Sequence, residues 1–420
     1  MLVAIKEPGR GCWFVVYVTF VVAGAAYASG AGGAETLQIE VRETAGIRRF
    51  GYPVAVKLPE LSMGGAKARF RLREGAKPAP AQFRQESTDG GIAEWWLDFN
   101  LSMRPNEVRT LTLEYGPDVA VDAEPRGLEL KQTVDGFEIR NRPHLTWTAG
   151  RDLLSLVKSV DAGDLQYLRG EGVRLAIEGP NGALHARDVE TAATRVIRSG
   201  PLAVAIRYEF APTAGPLAET RSTVDLTFPV SKSWVQVDWK IDDARQAVRS
   251  VRAEIAQKLA GPTDEEPTLV DFGASSLVYM SLGPEARGKL QASRAAAQPN
   301  GPLRKSWEVL RGDKNGFEPF VVQAAGHAHA EAEGWAHIMD RTRCLALAVD
   351  EFGDVGEDSI ELTAKGDITL ARKFSTAGPD RPVTKSFRFW LHFVGFPPHV
   401  TAATSPQSML SPLTVRISKP

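Results

Sequence analysis

The chain has 420 residues, 43% of them hydrophobic and 24% charged, an ordinary globular composition with enough length to bury large cores. Its 50 Lys and Arg stand against 51 Asp and Glu. No cationic surplus is present to release counterions from nucleic acid or to hold the chain on anionic lipid, which speaks against both partners and for a neutral or locally recognised one.

The first element is a signal peptide over residues 1–28. Lys6 and Arg10 give a positive start, Cys12 to Ala23 form an apolar core, and Ala26-Tyr27-Ala28 supplies the small-x-small cleavage pattern. The apolar run is short for a membrane span of ~20 residues, and an uncleaved anchor is the alternative reading. No membrane span is therefore expected after cleavage, and the location is extracytoplasmic: periplasm, cell surface or secreted. Loss of Lys6, Glu7 and Arg10 leaves the mature chain near −2. It also leaves Cys344 as the sole cysteine, so an exported chain of this size must rest on core burial without disulfides.

Beyond residue 34 the dominant period is two. Ala68, Phe70 and Leu72 alternate with Lys67, Arg69, Arg71 and Arg73, as a half-buried strand requires. Leu111, Leu113 and Tyr115 repeat the pattern, and so do Val235, Val237, Trp239 and Ile241. Arg245 to Leu259 fits either a strand face (Val251, Ala253, Ile255) or a short helix. Gly and Pro recur between the runs as turn punctuation. Many short strands and few helices predict an all-β fold. The Pro- and acid-rich stretch Gly116 to Arg126 divides it into a small N-terminal β-sandwich at 35–116 and a large β region at 127–420. The polar stretch Gly283 to Pro302 is expected as a surface excursion.

Three segments carry a resemblance. Arg49-Phe50-Gly51-Tyr52-Pro53-Val54, Pro78 to Phe83 and Glu94 to Phe99 follow one another like the strands of the small β-domain of exo-rhamnogalacturonan-lyase-like proteins. Gly136 to Asn141, leading to Leu153 to Leu156, resembles the opening strands of galactose-mutarotase-like supersandwiches. Gly334-Trp335-Ala336-His337 with Asp340, then Cys344 to Phe352, is similar to a strand pair of the lyase-like central domain. The resemblance implies a small sandwich followed by a mutarotase-like supersandwich, and association with a glycan or oligosaccharide, a pectin-like one first. That family continues into a helical toroid, of which the sequence to Pro420 shows no repeat. Carbohydrate association is therefore implied more strongly than lyase activity.

The residues suited to chemistry cluster late in the chain. From Gly326 to His337 the odd positions His327, His329, Glu331, Glu333, Trp335 and His337 share one face if extended. His337 or His329, with Glu331, could then act as proton donor and acceptor on a sugar, as in epimerisation or β-elimination. The same stretch fits a polar loop, and its His-x-His pair with a carboxylate also fits a metal ion. Arg388, Trp390 and His392 share another face, opposite the core positions Phe389, Leu391 and Phe393. Trp335 and Trp390 are candidate stacking platforms for a sugar ring, with His392 beside them, unless Trp390 packs under a neighbouring sheet. Arg341, Arg343 and Arg388 are available to uronate carboxylates. Cys344 sits in an apolar run and reads as a core residue. There is no Gly-x-Ser-x-Gly elbow, phosphate loop, dinucleotide fingerprint or His-Glu-x-x-His, so no cofactor is expected. Turnover is left open, and a non-catalytic scaffold protein of the cell envelope is the rival reading.

Overall fold

The structure is a computed structural model. It describes residues 34–61, 69–87, 93–122, 125–141, 145–152, 155–185, 191–212, 215–263, 265–273, 277–296, 303–322, 332–374, 383–395 and 406–420. The expected signal peptide lies outside them, as do His144, His327, His329, Glu331 and His399.

Period-two alternation becomes antiparallel sheet throughout, so the chain is all-β as predicted. One small sheet runs in the order Thr414–Ser418, Glu35–Arg42, Val108–Gly116, Arg69–Glu74, Lys77–Pro78. It packs on a second of Arg49–Lys57, Ala93–Met103 and Ala81–Ser87. Their inward residues, among them Leu37, Ile39, Phe70, Leu72, Leu97, Phe99, Leu111 and Leu113, share one buried cluster. Among the described residues, 35–116 thus supply all but one strand of this sandwich. The exception is Thr414–Ser418, which pairs with Glu35–Arg42 from Gln38↔Ser418 to Arg42↔Thr414. The boundary drawn near residue 120 missed this because Val415 and Ile417 alternate like any other strand, and alternation does not say which sheet a strand joins.

The large region holds an eight-stranded and a nine-stranded antiparallel sheet around one core, the arrangement expected of a supersandwich. A five-stranded sheet spanning Glu129 to Gln166 adds to the same core, with Trp147 fully buried against Phe228. Ser250–Gln257 is a strand, so the ambiguous segment resolves as sheet, with Arg245 to Arg249 outside it. The described part of Gly283 to Pro302, residues 283–296, is not a surface excursion. Its Arg287–Ala296 is an interior strand of the eight-stranded sheet, with Leu290 and Ala292 in the core. Its inward positions are small or few and its outward ones charged, so the apolar alternation is weak in sequence.

The nine-stranded sheet positions the candidate site. Its strand order is Thr191–Ser199, Ala203–Phe210, Arg221–Pro229, Trp234–Asp242, Thr384–Gly395, Arg343–Val349, Trp335–Met339, Thr268–Gly273, Leu277–Leu282. One face carries Val237, Trp239, Phe389, Leu391, Leu345 and Leu347 into the large core. The other turns toward the small sandwich, where Trp234, Trp335, Ala348 and Trp390 continue that sandwich's buried cluster.

Candidate functional site

The site is built on the strand Arg343–Val349. Its alternation sends Leu345, Leu347 and Val349 into the large core, leaving Cys344, Ala346 and Ala348 on the opposite face. On one side His337 pairs with Ala346 and Trp335 with Ala348. On the other, His392 pairs with Ala346 and Trp390 with Ala348. Two strand spacings, ~9.5 Å, therefore separate a His-Trp wall from a second His-Trp wall over a floor of small residues.

Hydrogen bonds fix both walls. Asp271 pairs with His337 in register and accepts from its backbone N–H at 3.0 Å, while His337 Nδ1 lies 2.7 Å from Asp271 Oδ1. A carboxylate there orients the ring and favours the Nδ1–H tautomer. The indole N–H of Trp335 donates to Glu333 at 2.6 Å. Its ring lies over Gly273, where a Cβ would stand 2.2 Å from Trp335 Cε2. Trp390 donates to Gln236 at 3.0 Å, and Gln236 donates to Asp238 at 2.6 Å. Asp238 in turn accepts from Arg388, which also reaches Asp350 at 3.4 Å. Burial outweighs the Arg388 charge at Asp350 and raises its carboxyl to about 6. Burial is also the main cause that lowers His392 to about 3, with the Lys232 and His337 charges adding to it. His392 is thus held neutral, edge-on to Trp234 at 5.7 Å. Lys232, over the Trp234 ring, is lowered to about 8 by burial and by Arg49.

The nominated residues His337, His392, Trp335 and Trp390 therefore do converge on one sheet face, with Arg388 one row beyond. They do not form an open cleft. Their exposures are 2%, 6%, 8% and 6%. Tyr52 of the small sandwich meets Trp234 edge-on at 6.0 Å, and the helical turn Gln407–Leu410 lies against Arg343–Val349 with Met409 buried. Gln407 donates to Glu333 at 2.5 Å. The expectation that the two tryptophans are stacking platforms is corrected: they are packing at an interface, because their indole rings bury more apolar area there than any other side chain can. The arginines are corrected too. Arg388 is paired with Asp238 and Asp350, Arg343 is bonded to Asp340 and the Gln166 carbonyl, and Arg341 is paired with Glu266 at an exposed turn. Cys344 is a buried free thiol whose pKa burial raises, a core residue as read.

Asp271, Glu333, Gln236 and Asp238 hold this face together, yet only Glu333 stood out in sequence. Asp271 lies in Leu-Val-Asp-Phe-Gly, a lone acid in an apolar run. Such a residue must find a partner when buried, and that was the available signal. Among the described residues no three potential metal-ligating side chains come together, and no helix is long and apolar enough to cross a membrane.

No protein-family model matches the sequence, and no curated protein matches it. Solved structures do. An α-mannosidase from Enterococcus faecalis V583 superimposes at TM-score 0.56 and 10% identity over 91% of this chain and 46% of its own. A glycosyl hydrolase family 38 protein from Enterococcus faecalis gives 0.55 and 10% over 91% and 47%. A galactose mutarotase related enzyme from Lactobacillus acidophilus gives 0.35 and 9% over 64% and 97%. The chain spans a little under half the length of these two Enterococcus faecalis proteins. Over nine tenths of its own length it has a fold found in a carbohydrate-active protein.

Proposed function

We propose that the protein is exported and binds an extracellular glycan, a pectin-like acidic chain being the first candidate, without turning it over at the His337 row. The fold likeness to an α-mannosidase supports the glycan, and the resemblance around Arg49 to Val54 and Trp335 supports the pectin-like choice. The observation that carries binding over turnover is the sealing of that row. Its histidines and tryptophans are buried beneath the small sandwich and Gln407–Leu410. His337 then serves to satisfy Asp271.

Replacing His337 with Ala tests this. The variant leaves Asp271 buried without its ring partner and is expected to lose about 2–3 kcal/mol of stability in urea denaturation, while glycan affinity by titration calorimetry stays unchanged. The rival enzyme reading, lyase-like or epimerase-like, draws on the 2.7 Å Asp271–His337 contact, a geometry that suits a general base. Turnover of oligosaccharides by the parent, abolished in His337→Ala with affinity retained, would establish that rival. No binding to any glycan, with a stable protein partner in pull-down, would instead favour the scaffold reading.

Export has its own test. Expressed in a secretion-competent host, the extracytoplasmic protein is expected to begin at Ser29 by N-terminal sequencing, and removal of residues 1–28 is expected to retain it inside the cell. An intact N-terminus on the extracytoplasmic protein would refute cleavage.

A further inference from the structure

The arginines first suited to a uronate are neutralised, but others are not. The strand Arg49–Lys57 pairs with Ala93–Met103 through a register shift between Arg49 and Tyr52. Both of those side chains are buried although three residues apart, so the bulge throws Phe50 to the outside. Gly51 makes it possible: its φ is +50, a conformation that costs glycine little. Its N–H donates to Ser102 Oγ at 2.9 Å, and its carbonyl accepts from Ser231.

Phe50 is 47% exposed, with the Arg48 guanidinium 4.8 Å from its ring centroid. Across from it the turn before Val108 presents Arg104, and Val108 itself is 48% exposed. Together with Arg109 these residues line a concavity of about 580 Å³. Four arginines line it against Glu74 and Glu107. Glu74 is taken by Arg109, and Glu107 accepts the Arg104 backbone N–H at 2.6 Å. Arg49 is buried on Glu43. The guanidinium groups of Arg48 and Arg104 have no carboxylate partner among the described residues, so the concavity keeps a positive excess even with Glu107 counted, in a chain that is near neutral overall.

We propose that this concavity of the small sandwich is a subsite for a uronate-bearing oligosaccharide. Phe50 and Val108 take the apolar face of a sugar ring, and Arg48 and Arg104 take its carboxylates. The bulge in Arg-Phe-Gly-Tyr, one of the segments behind the resemblance, exists to turn Phe50 outward. The inference deepens the glycan reading and rests on it.

The experiment titrates the mature protein calorimetrically with oligogalacturonate, with its fully methyl-esterified form and with a neutral mannan oligosaccharide. The double variant Arg48→Ser, Arg104→Ser is expected to lose roughly tenfold or more in affinity for oligogalacturonate, since each charge-assisted bond removed is a strong one, and the parent affinity is expected to fall with added salt. Phe50→Ala is expected to weaken the acidic and esterified forms alike. All the replaced side chains are exposed, so melting temperatures should match the parent. Oligogalacturonate binding that is unchanged in the double variant would overturn the subsite and leave the glycan reading standing. Binding of none of the three sugars by the parent would overturn the glycan reading itself, and the subsite with it.

Discussion

Replacement of Arg372 with Ala is expected to destabilise the protein by about 3–5 kcal/mol, the cost of leaving a buried charge without its partner. Arg372 and Asp358 are paired through two 2.8 Å bonds on neighbouring strands, with side chains 1% and 0% exposed. Burial opposes the charge on Arg372, yet Asp358 and nearby acids keep its pKa raised. Its Nη2 also donates to the carbonyls of Asp350 and Glu351, and its Nη1 to that of Ser386. Asp358 also accepts the Gly353 N–H at 2.7 Å. The pair therefore ties two strands of the eight-stranded sheet to the turn that carries Asp350, which meets Arg388 in the nine-stranded sheet. Urea denaturation of the single variant checks this. The double variant Arg372→Met, Asp358→Leu should recover much of the loss, because no charge is then left unpaired. A single variant within 1 kcal/mol of the parent would show that water reaches the pair.

Acid is expected to weaken the protein through His392. Its ordinary value is 6.5, and the fold lowers it to about 3. The folded state thus binds fewer protons than the unfolded one between those values. The contribution is fully present above pH 6.5 and is lost as pH falls toward 3, amounting to about 4 kcal/mol at the acid end. The charged groups that act on the ring are Lys232 and His337, and both oppose its protonation. Asp350 acts in the opposite sense. Raised from 3.8 to about 6, it favours the folded state as pH falls through that window. Comparison of parent with His392→Phe cancels that background. Melting temperatures of the variant should fall less than the parent's between pH 6.5 and 4, and equal losses in both would remove His392 as the cause. The weakened region should be the contact between the small sandwich and the nine-stranded sheet, which amide exchange near Trp234 would register.

Both predictions concern polar groups that the fold brings together from distant positions, and such groups were the least visible in sequence. Asp358 and Arg372 stand 14 residues apart on separate strands, and Asp271 and His337 stand 66 apart. No local pattern announces such pairs, because register between strands depends on turns and on which faces are buried. His337, Trp335, Trp390 and His392 were identifiable as one chemical set because their types and alternation are local. What could not be read was that the set faces inward. An alternating strand shows two faces, and a face with tryptophan and histidine is compatible with a cleft or an interface. Only the position of the small sandwich decides between them.

The sequence by itself determined the class of fold. Period-two alternation with Gly and Pro punctuation dictates strands, and the Leu111, Val235 and Phe389 runs name their buried faces correctly, since burial of apolar area is a property each segment carries alone. Strand alternation also sends the adjacent Trp95 and Trp96 to opposite faces. The first sits with the small core against Phe70 at 4.7 Å, and the second lies on the face of Gln82 and Asp98, which reaches Leu202 and Arg198 of the large region. The tertiary structure alone decided that Thr414–Ser418 returns to the first strand. It alone also decided that Arg287–Ala296 is an interior strand and that the alanines of Arg343–Val349 floor a covered face. These are pairings between segments tens to hundreds of residues apart, chosen by the total burial and hydrogen bonding of the assembled sheets rather than by any one of them. The outward turn of Phe50 belongs to the same class, a bulge that appears only when two strands are laid side by side.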